Sequence, residues 1–223
     1  MCIRDRFLRE IEEIVNLEKS FKDSMNILEL KKNGFSDLQI AQLSNSTELE
    51  VRKKRISDNI TPVYKVVDTC AGEFKAETPY SYSTYESSHD IQPLEGKKII
   101  ILGGGPNRIG QGIEFDYCCV QAVFGLREAG FKSIMVNCNP ETVSTDFDLP
   151  DRLYFEPITF EDIMNIIDFE KPDGVLVQFG GQTPLKIANQ LTEAGVKIYG
   201  TSANSINLAE NREEFAKIID RLK

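Results

Sequence analysis

A run of β-branched residues that ends in three glycines is the feature that most constrains the fold. Residues 99–102 are apolar, Gly103, Gly104 and Gly105 follow at once, and an amphipathic segment begins near Ile113. This order predicts a strand, a phosphate-sized loop and a helix. Because glycines lack a Cβ atom, the loop can expose backbone N–H groups, which favour an anion beside a helix N-terminus. We therefore expect the opening of a doubly wound α/β domain.

The glycine loop departs from the dinucleotide-binding fingerprint. In that fingerprint a third glycine packs the helix against the strand, but Arg108 stands at its position here. The second predicted strand also ends in Cys-Asn-Pro-Glu at residues 138–141, not in one acidic residue placed for a ribose. Ordinary NAD binding is therefore not expected.

From residue 97 the chain alternates short apolar segments with amphipathic ones. This alternation predicts a parallel sheet covered on both faces, with its loops gathered at the carboxyl edge. Three of those loops, residues 103–107, 137–142 and 179–184, carry small or amide residues where a ligand could approach. The predicted strands are residues 98–102, 133–137, 152–155, 174–178 and 197–199, and the predicted helices are residues 113–129, 159–170 and 184–194.

The chain before residue 60 shows helical spacing of its apolar residues. Ser36, and either Ser46 or Thr47, are typical N-caps, and Asn33 with the glycine after it is a typical helix end. Two of these short helices, ending in Arg-Lys-Lys-Arg at residues 52–55, could form a DNA-reading helix-turn-helix. Acidic residues dilute that charge, so we expect the pair to pack on neighbouring helices instead. The predicted helices are residues 7–15, 21–30, 35–43 and 47–55.

A polar and aromatic stretch separates the two patterns. Residues 63–68 are expected to be extended, and residues 78–90 are expected to be an irregular connector anchored by tyrosines. The single histidine, His89, lies among serines and an aspartate, so we expect a solvated loop residue and no histidine-based catalysis or metal binding.

Composition excludes several classes of protein. The net charge of −9 and a pI near 4.8 disfavour nucleic acid, which needs a basic surface. Neither a secretory signal nor an apolar run of membrane-spanning length is present, so a soluble, cytoplasmic location is expected. The five cysteines include no C-x-x-C pair, which argues against a disulfide framework and against a zinc site.

Long strings of residues resemble the large subunit of carbamoyl-phosphate synthase. Residues 102–119, 137–146 and 178–184 carry the resemblance, and residues 62–65, 68–71 and 82–86 follow the same family in the same order. Only residues 1–6 match nothing in the family.

The resemblance implies a fold and its limits. It implies an α/β chain: a parallel-sheet, Rossmann-like pre-ATP-grasp domain over residues 97–223, preceded by a small, mostly α-helical region over residues 1–92. That region would be the end of an oligomerisation domain, with a linker near residues 78–96. Asn107 and the residues after it resemble the second, carbamoyl-phosphate-forming half of the family. Because the last predicted helix, from near Asn211, is unfinished, we expect a fragment truncated before the ATP-grasp lobes.

The resemblance also implies a function. The family uses ATP to make carbamoyl phosphate from bicarbonate and glutamine-derived ammonia, for arginine and pyrimidine biosynthesis. ATP and Mg²⁺ or Mn²⁺ would be bound by lobes outside this chain, which would be inactive alone and would contain no catalytic or metal-binding residue. The implied partners are a glutamine amidotransferase small subunit and further copies joined through the helical region.

The resemblance also implies site residues, which are five residues of the glycine-rich loop and two carboxylates of the carbamate tunnel. Glu114 and Glu141 match glutamates that line the carbamate tunnel, although each carboxylate could equally decorate a helix start or a loop. Two other functions stay open: a free-standing oligomerising module that binds an anionic metabolite, and the helix-turn-helix regulator. The glycine-rich loop residues implied for the site are Gly103, Gly104, Gly105, Asn107 and Arg108.

Overall fold

The computed structural model describes residues 3–21, 26–106 and 112–222. The chain divides into two compact units. A helical unit contains Met1–Val63 and Thr84–Ser88, and an α/β unit contains Tyr64–Ser83 and His89–Lys223. Among the described residues, no helix combines the length and the apolar character that crossing a bilayer requires.

The helical unit follows the predicted capping signals closely. The Ser36 and Thr47 side chains each accept a hydrogen bond from the third residue of the following helix, which completes two capping boxes. Asn33 ends the second helix, and the glycine after it has a φ of +85°. The helices are α1 (Ile3–Lys19), α2 (Ile27–Lys32), α3 (Asp37–Leu43) and α4 (Glu48–Ser57), and their core is Ile27, Leu30, Phe35, Ile40, Ala41 and Val51.

A buried ion cluster ties these helices together. Arg55 and Asp37 are both 0% exposed, and the Arg55 guanidinium donates from Nε to Asp37 Oδ1 at 3.0 Å and from Nη2 to Oδ2 at 2.8 Å. Lys31 Nζ lies 3.2 Å from the same carboxylate. Arg52 is also buried. Two of the four basic residues proposed for a DNA-reading helix therefore face the protein interior.

The α/β unit is built on one six-stranded sheet. The strand order is β1-β2-β5-β4-β3-β6, and every neighbouring pair from β2 to β6 runs parallel. In the central register Ile100 lies between Ile134 and Val175. The predicted α/β fold with a parallel sheet is confirmed. The strands are β1 (Val63–Val66), β2 (Tyr80–Thr84), β3 (Lys98–Leu102), β4 (Lys132–Val136), β5 (Arg152–Tyr154) and β6 (Gly174–Leu176).

Helices cover both faces of this sheet. The helices are α5 (Glu114–Glu128), α6 (Phe160–Glu170), α7 (Gln182–Leu185), α8 (Ala188–Glu193), α9 (Ala203–Glu210) and α10 (Arg212–Arg221). Alternate residues of β3 point to opposite faces, so Ile100 joins a core with α6 and α8 while Ile101 joins a core with α5. All five β3 residues are buried, as a central parallel strand requires.

The α/β unit also contains a buried ionic network. The Glu170 carboxylate, 1% exposed, lies 3.2 Å from Lys98 Nζ and 3.1 Å from Arg152 Nη1. It also accepts hydrogen bonds from the Tyr154 hydroxyl and the Leu94 N–H. Burial, and then the charge of Glu170, raise the pKa of Tyr154. The network joins α6 to β3 and β5.

Three sequence predictions for this unit are wrong. Residues 78–90 are not an irregular connector throughout, because Tyr80–Thr84 forms β2 inside the sheet. One helix predicted over residues 184–194 is two, α7 and α8. The strand predicted over residues 197–199 is an isolated parallel bridge between Val175 and Ile198.

Candidate functional site

The loops after β3, β4 and β6 meet at the carboxyl edge of the sheet. A Cβ atom on Gly180 would lie 2.6 Å from Leu102 O and closer still to Gly103 O. A Cβ atom on Gly103 would lie 2.7 Å from Asn137 Cγ. Both distances are shorter than real Cβ contacts allow, so the loops approach this closely only because these residues are glycines. The predicted convergence of the three loops is present in the structure.

Two further glycines adopt left-handed backbone angles at the same edge. Gly105 has a φ of +74° and Gly181 a φ of +73°, and L side chains rarely adopt such angles. A Cβ atom on Gly181 would lie 3.3 Å from the ring of Phe115, on the first turn of α5. The turns therefore bring the glycine loops against the start of α5.

Asn137 joins the first two loops through its side-chain amide. Its Oδ1 accepts the Gly105 N–H at 3.1 Å, and its Nδ2 donates to Thr142 Oγ1 at 3.4 Å. Asn137 is 2% exposed. Asn139 orders the same loop, since its Oδ1 accepts the Glu141 N–H at 3.0 Å. The sequence predicted an amide-rich loop here, but the two specific roles are visible only in the structure.

Asp116 is a site residue that sequence reasoning missed. Its carboxylate accepts the Val143 N–H at 2.9 Å and the Ser144 N–H at 3.3 Å, which holds the 3-10 turn Val143–Thr145 against α5. The available signal was an aspartate in the first helical turn, and helix stability alone also explains that position.

These loops and the start of α5 line a cavity of about 290 Å³. Glu141 lies at its wall, whereas Glu114, on the first turn of α5, is exposed and is not part of the lining. Gly104 and Gly105 line it, and Gly103 packs behind them. Asn107 and Arg108 lie outside the described residues. The lining residues are Gly104, Gly105, Gly112, Ile113, Phe115, Asp116, Asn137, Asn139, Glu141, Thr142 and Val143.

The lining of this cavity combines glycine backbone, amide and apolar groups with the carboxylates of Asp116 and Glu141. In the part of the chain that the structure describes, no three histidine, cysteine or acidic side chains could together hold a metal ion. Burial raises the pKa of Cys138, the thiol of the β4 loop, which keeps it protonated at neutral pH and weakly nucleophilic. The negative charges of Asp116 and Glu141 would disfavour tight binding of an anion in this cavity.

The single histidine differs from the sequence prediction. His89 is exposed, as expected of a loop residue. Its ring nevertheless stacks on Phe169 with centroids 4.7 Å apart, and Nδ1 accepts the Tyr64 N–H at 3.2 Å. The prediction of a merely solvated residue is therefore wrong, because the ring has two specific contacts.

Comparisons with known families match most of the chain. The model of the carbamoyl phosphate synthase preATP-grasp domain matches residues 95–208. The model of the carbamoyl-phosphate synthetase large chain oligomerisation domain matches residues 2–59. The two matches follow one another in the order that the resemblance implied.

Curated relatives extend the match across both units. Carbamoyl phosphate synthase large chains of Pasteurella multocida and Neisseria meningitidis serogroup B are 61% and 57% identical over 223 residues. An arginine-specific, chloroplastic large chain of Arabidopsis thaliana is 54% identical. Each alignment covers 97% of this chain. The chain spans only about a fifth of these relatives, 21%, 21% and 20% of their lengths.

Solved structures show more distant similarity. An N5-carboxyaminoimidazole ribonucleotide synthetase from Thermus thermophilus matches 56% of this chain and 29% of its own chain, at 18% identity and a TM-score of 0.39. The biotin carboxylase subunit of a pyruvate carboxylase matches 56% and 28%, at 16% identity and a TM-score of 0.38.

The preATP-grasp match alone covers more than half of the 223 residues. The matched region contains the parallel strands β3 to β6 and the three glycine and amide loops at their carboxyl edge. The chain belongs to the carbamoyl-phosphate synthase large-chain family.

Proposed function

We propose that this chain forms the scaffold and part of the tunnel wall in the carbamate-phosphorylating half of a carbamoyl-phosphate synthase. The whole enzyme would be a ligase that makes carbamoyl phosphate from bicarbonate, glutamine-derived ammonia and ATP, for arginine and pyrimidine biosynthesis. The observation that carries the proposal is the match of an oligomerisation domain over residues 2–59 followed in the chain by a preATP-grasp domain over residues 95–208. The arginine-specific Arabidopsis relative supports the first of the two pathways.

Within that enzyme, Glu141 would border the passage taken by carbamate. Glu141 lies on the wall of the 290 Å³ cavity, and its loop is fixed by Asn137 and Asn139. Glu114 is proposed for the same passage on the strength of the resemblance alone. A fixed negative wall disfavours trapping of an anion, so carbamate could move on. Gly104 and Gly105 would leave their own part of the wall without side chains.

ATP and Mg²⁺ or Mn²⁺ would be held by parts of the enzyme outside the matched residues. The described residues of this chain offer no cluster of three or more metal ligands. Calorimetry of the 223-residue chain with ATP and Mg²⁺ should therefore show no micromolar binding. Micromolar binding would contradict the proposal and favour a free-standing ligand-binding module.

Self-association and a glutamine amidotransferase small subunit are the proposed partners. The match of residues 2–59 to an oligomerisation domain supports self-association. The apolar face of α1 also supports it, since Phe7, Leu8 and Ile11 are 56% to 63% exposed. A DNA-binding role has no comparable support, because Arg52 and Arg55 are buried. A cytoplasmic location stays a prediction from the sequence.

A chimaera tests the proposal directly. This chain should replace the corresponding fifth of the Pasteurella multocida large chain and support carbamoyl-phosphate synthesis. In that chimaera Glu141→Lys should abolish carbamoyl-phosphate formation and leave bicarbonate-dependent ATP hydrolysis intact, because only the passage is disturbed. Glu128→Lys, at the end of α5, is the matched control and should leave both reactions intact. The tunnel-wall role would be contradicted if Glu141→Lys abolished both reactions, and equally if it left both reactions intact.

A further inference from the structure

The chain enters or leaves the α/β unit at three places before its main body begins. It enters between Val63 and Tyr64, leaves between Ser83 and Thr84, and enters again between Ser88 and His89. The loop from residue 64 to residue 89 therefore carries β2 and the five-residue segment 84–88 that belongs to the helical unit. The two ends of this loop lie side by side in the α/β unit.

His89 and its neighbour Asp90 bind both polar groups of the Tyr64 backbone. His89 Nδ1 accepts the Tyr64 N–H at 3.2 Å, and the Asp90 N–H donates to Tyr64 O at 2.9 Å. The Asp90 carboxylate accepts the Val66 N–H at 3.4 Å and lies 3.1 Å from Lys65 Nζ. Because β1 is the edge strand of the sheet, this pairing covers backbone groups that no neighbouring strand could reach.

The ring of His89 is oriented by aromatic packing. It stacks on Phe169 of α6 at an interplanar angle of 11°, and the Tyr64 ring lies 6.1 Å away. Tyr64 is in turn buried against Tyr154 and Phe169, each at 4.9 Å between centroids. The stacking therefore orients the ring so that Nδ1 faces the Tyr64 N–H.

We propose that His89 is a proton-operated clasp, whose neutral ring holds the Tyr64 N–H at the base of the 64–89 loop and whose protonation releases it. An imidazole nitrogen accepts a hydrogen bond only when it carries no proton. Protonated Nδ1 would present an N–H to the Tyr64 N–H, so the hydrogen bond is lost and two donors face one another. His89 is exposed, which lets solvent protons reach the ring.

The surroundings of the ring favour the closed form at neutral pH. Partial desolvation, and then the charge of Lys65, lower the pKa of His89 below its usual value. Asp90 faces the same region, but its carboxylate is paired with Lys65. On α6, Asp168 and Glu170 flank Phe169, and Glu170 is engaged by Lys98 and Arg152. The hydrogen bond from the Tyr64 N–H to His89 is therefore present at neutral pH, and it is lost as the pH falls through the lowered pKa of His89.

Amide exchange and ring nitrogen shifts of the ¹⁵N-labelled 223-residue chain test this proposal. The neutral ring should carry its proton on Nε2, and protection of the Tyr64 amide should fall about fivefold to tenfold between about pH 8 and about pH 5, the effect of one hydrogen bond. Protection of the Ile100 amide in β3 should not follow this change. A neutral ring protonated on Nδ1 would overturn the proposal without any substitution.

Two variants separate the clasp from general acid sensitivity. His89→Asn keeps an acceptor at a similar place that does not titrate, so Tyr64 protection should become independent of pH over this range. His89→Phe keeps the stacking but removes the acceptor, so protection should be low at every pH. Unchanged pH dependence in His89→Asn, or full protection in His89→Phe, would overturn the proposal. If His89→Phe also lowers Ile100 protection, this variant has lost general stability. The proposal is then decided by the ring tautomer measured in the unsubstituted chain.

Discussion

At the scale of single residues, the candidate site depends on positions where no side chain fits. Gly180→Ala would place a Cβ atom 2.6 Å from Leu102 O, a backbone atom that cannot turn aside. We expect this substitution to lower the free energy of unfolding by about 1–3 kcal/mol and to push apart the loops after β3 and β6. Urea denaturation followed by circular dichroism measures the change.

Gly125→Ala is the matched control for that substitution. Gly125 lies inside α5, it is exposed, and a Cβ atom there would meet nothing within 4 Å. Alanine should therefore raise the free energy of unfolding by about 0.5–1 kcal/mol. Equal effects of the two substitutions would show that the contact between the loops contributes nothing to stability.

A buried carboxyl in the α/β unit should make stability depend on pH. Glu156, 6% exposed, accepts the Ser83 N–H, yet desolvation raises its pKa from 4.5 to about 7. The ionised form is therefore disfavoured in the folded protein, and its cost is present above about pH 7 and relieved as the pH falls towards 4.5. Glu156→Gln should raise the free energy of unfolding by roughly 2–3 kcal/mol at about pH 8 and have little effect near pH 4.5.

Glu170→Gln is the opposing case for the same chemical change. Glu170 is also buried, but it faces the cations Lys98 and Arg152, which the substitution would leave without their counter-charge. Stability should fall by about 3–5 kcal/mol at neutral pH. Thermal unfolding at two pH values distinguishes the variants, and stabilisation by Glu170→Gln would contradict the assigned ion pairs.

The glycines of the site could be predicted from the sequence more readily than the polar residues whose side chains hydrogen-bond to the loop backbone. Gly103 and Gly105 could be identified because glycine has a direct meaning for backbone conformation. Asn137 and Asp116 could not be singled out, because their partners, Gly105 and Val143, are about thirty residues away along the chain. The order of the strands in the sheet brings these partners together, and the local sequence pattern carries no information about that order.

At the scale of elements, β2 shows why a polar strand escapes detection. Tyr80–Thr84 alternates aromatic and hydroxyl side chains, and Ser81 is buried while Tyr82 is exposed. The period-two signal was present, but the apolar residues expected on a buried face were missing. Its pairing with β5 fixes this segment as a strand, and that contact joins residues more than seventy positions apart. By contrast β3 was predicted with both ends correct, because burial on both faces requires a continuous apolar run.

Helix α4 shows the same effect for charge. Its basic residues indicate a solvated face by composition, but Arg55 is fully buried on Asp37 of α3.

Asp37→Asn should therefore destabilise the helical unit by about 3–5 kcal/mol, since Arg55 and Lys31 would lose the buried charge of Asp37. Asp58→Asn, at the exposed end of α4, is the control and should change stability by less than about 0.5 kcal/mol. Helix content measured by circular dichroism against urea would show the difference, and equal midpoints would contradict the buried cluster.

At the scale of the whole molecule, the two units have separate cores of unequal size. Among the residues that the structure describes, the helical core contains six buried apolar residues, whereas the two cores of the α/β unit contain sixteen and eight buried residues. Because stabilisation grows with the apolar area removed from water, the helical unit should unfold first on heating and the α/β unit second. Differential scanning calorimetry of the 223-residue chain should resolve two transitions.

The two buried ion clusters allow each transition to be assigned. Asp37 belongs to the helical unit and Glu170 to the α/β unit, and the ion pairs described for each carboxylate join it to residues of its own unit. Asp37→Asn should therefore lower only the first transition, and Glu170→Gln only the second. A single transition that both substitutions lower together would mean that the units unfold as one cooperative body. Two transitions that move independently would show that the helical unit can open while the parallel sheet and its glycine loops stay folded.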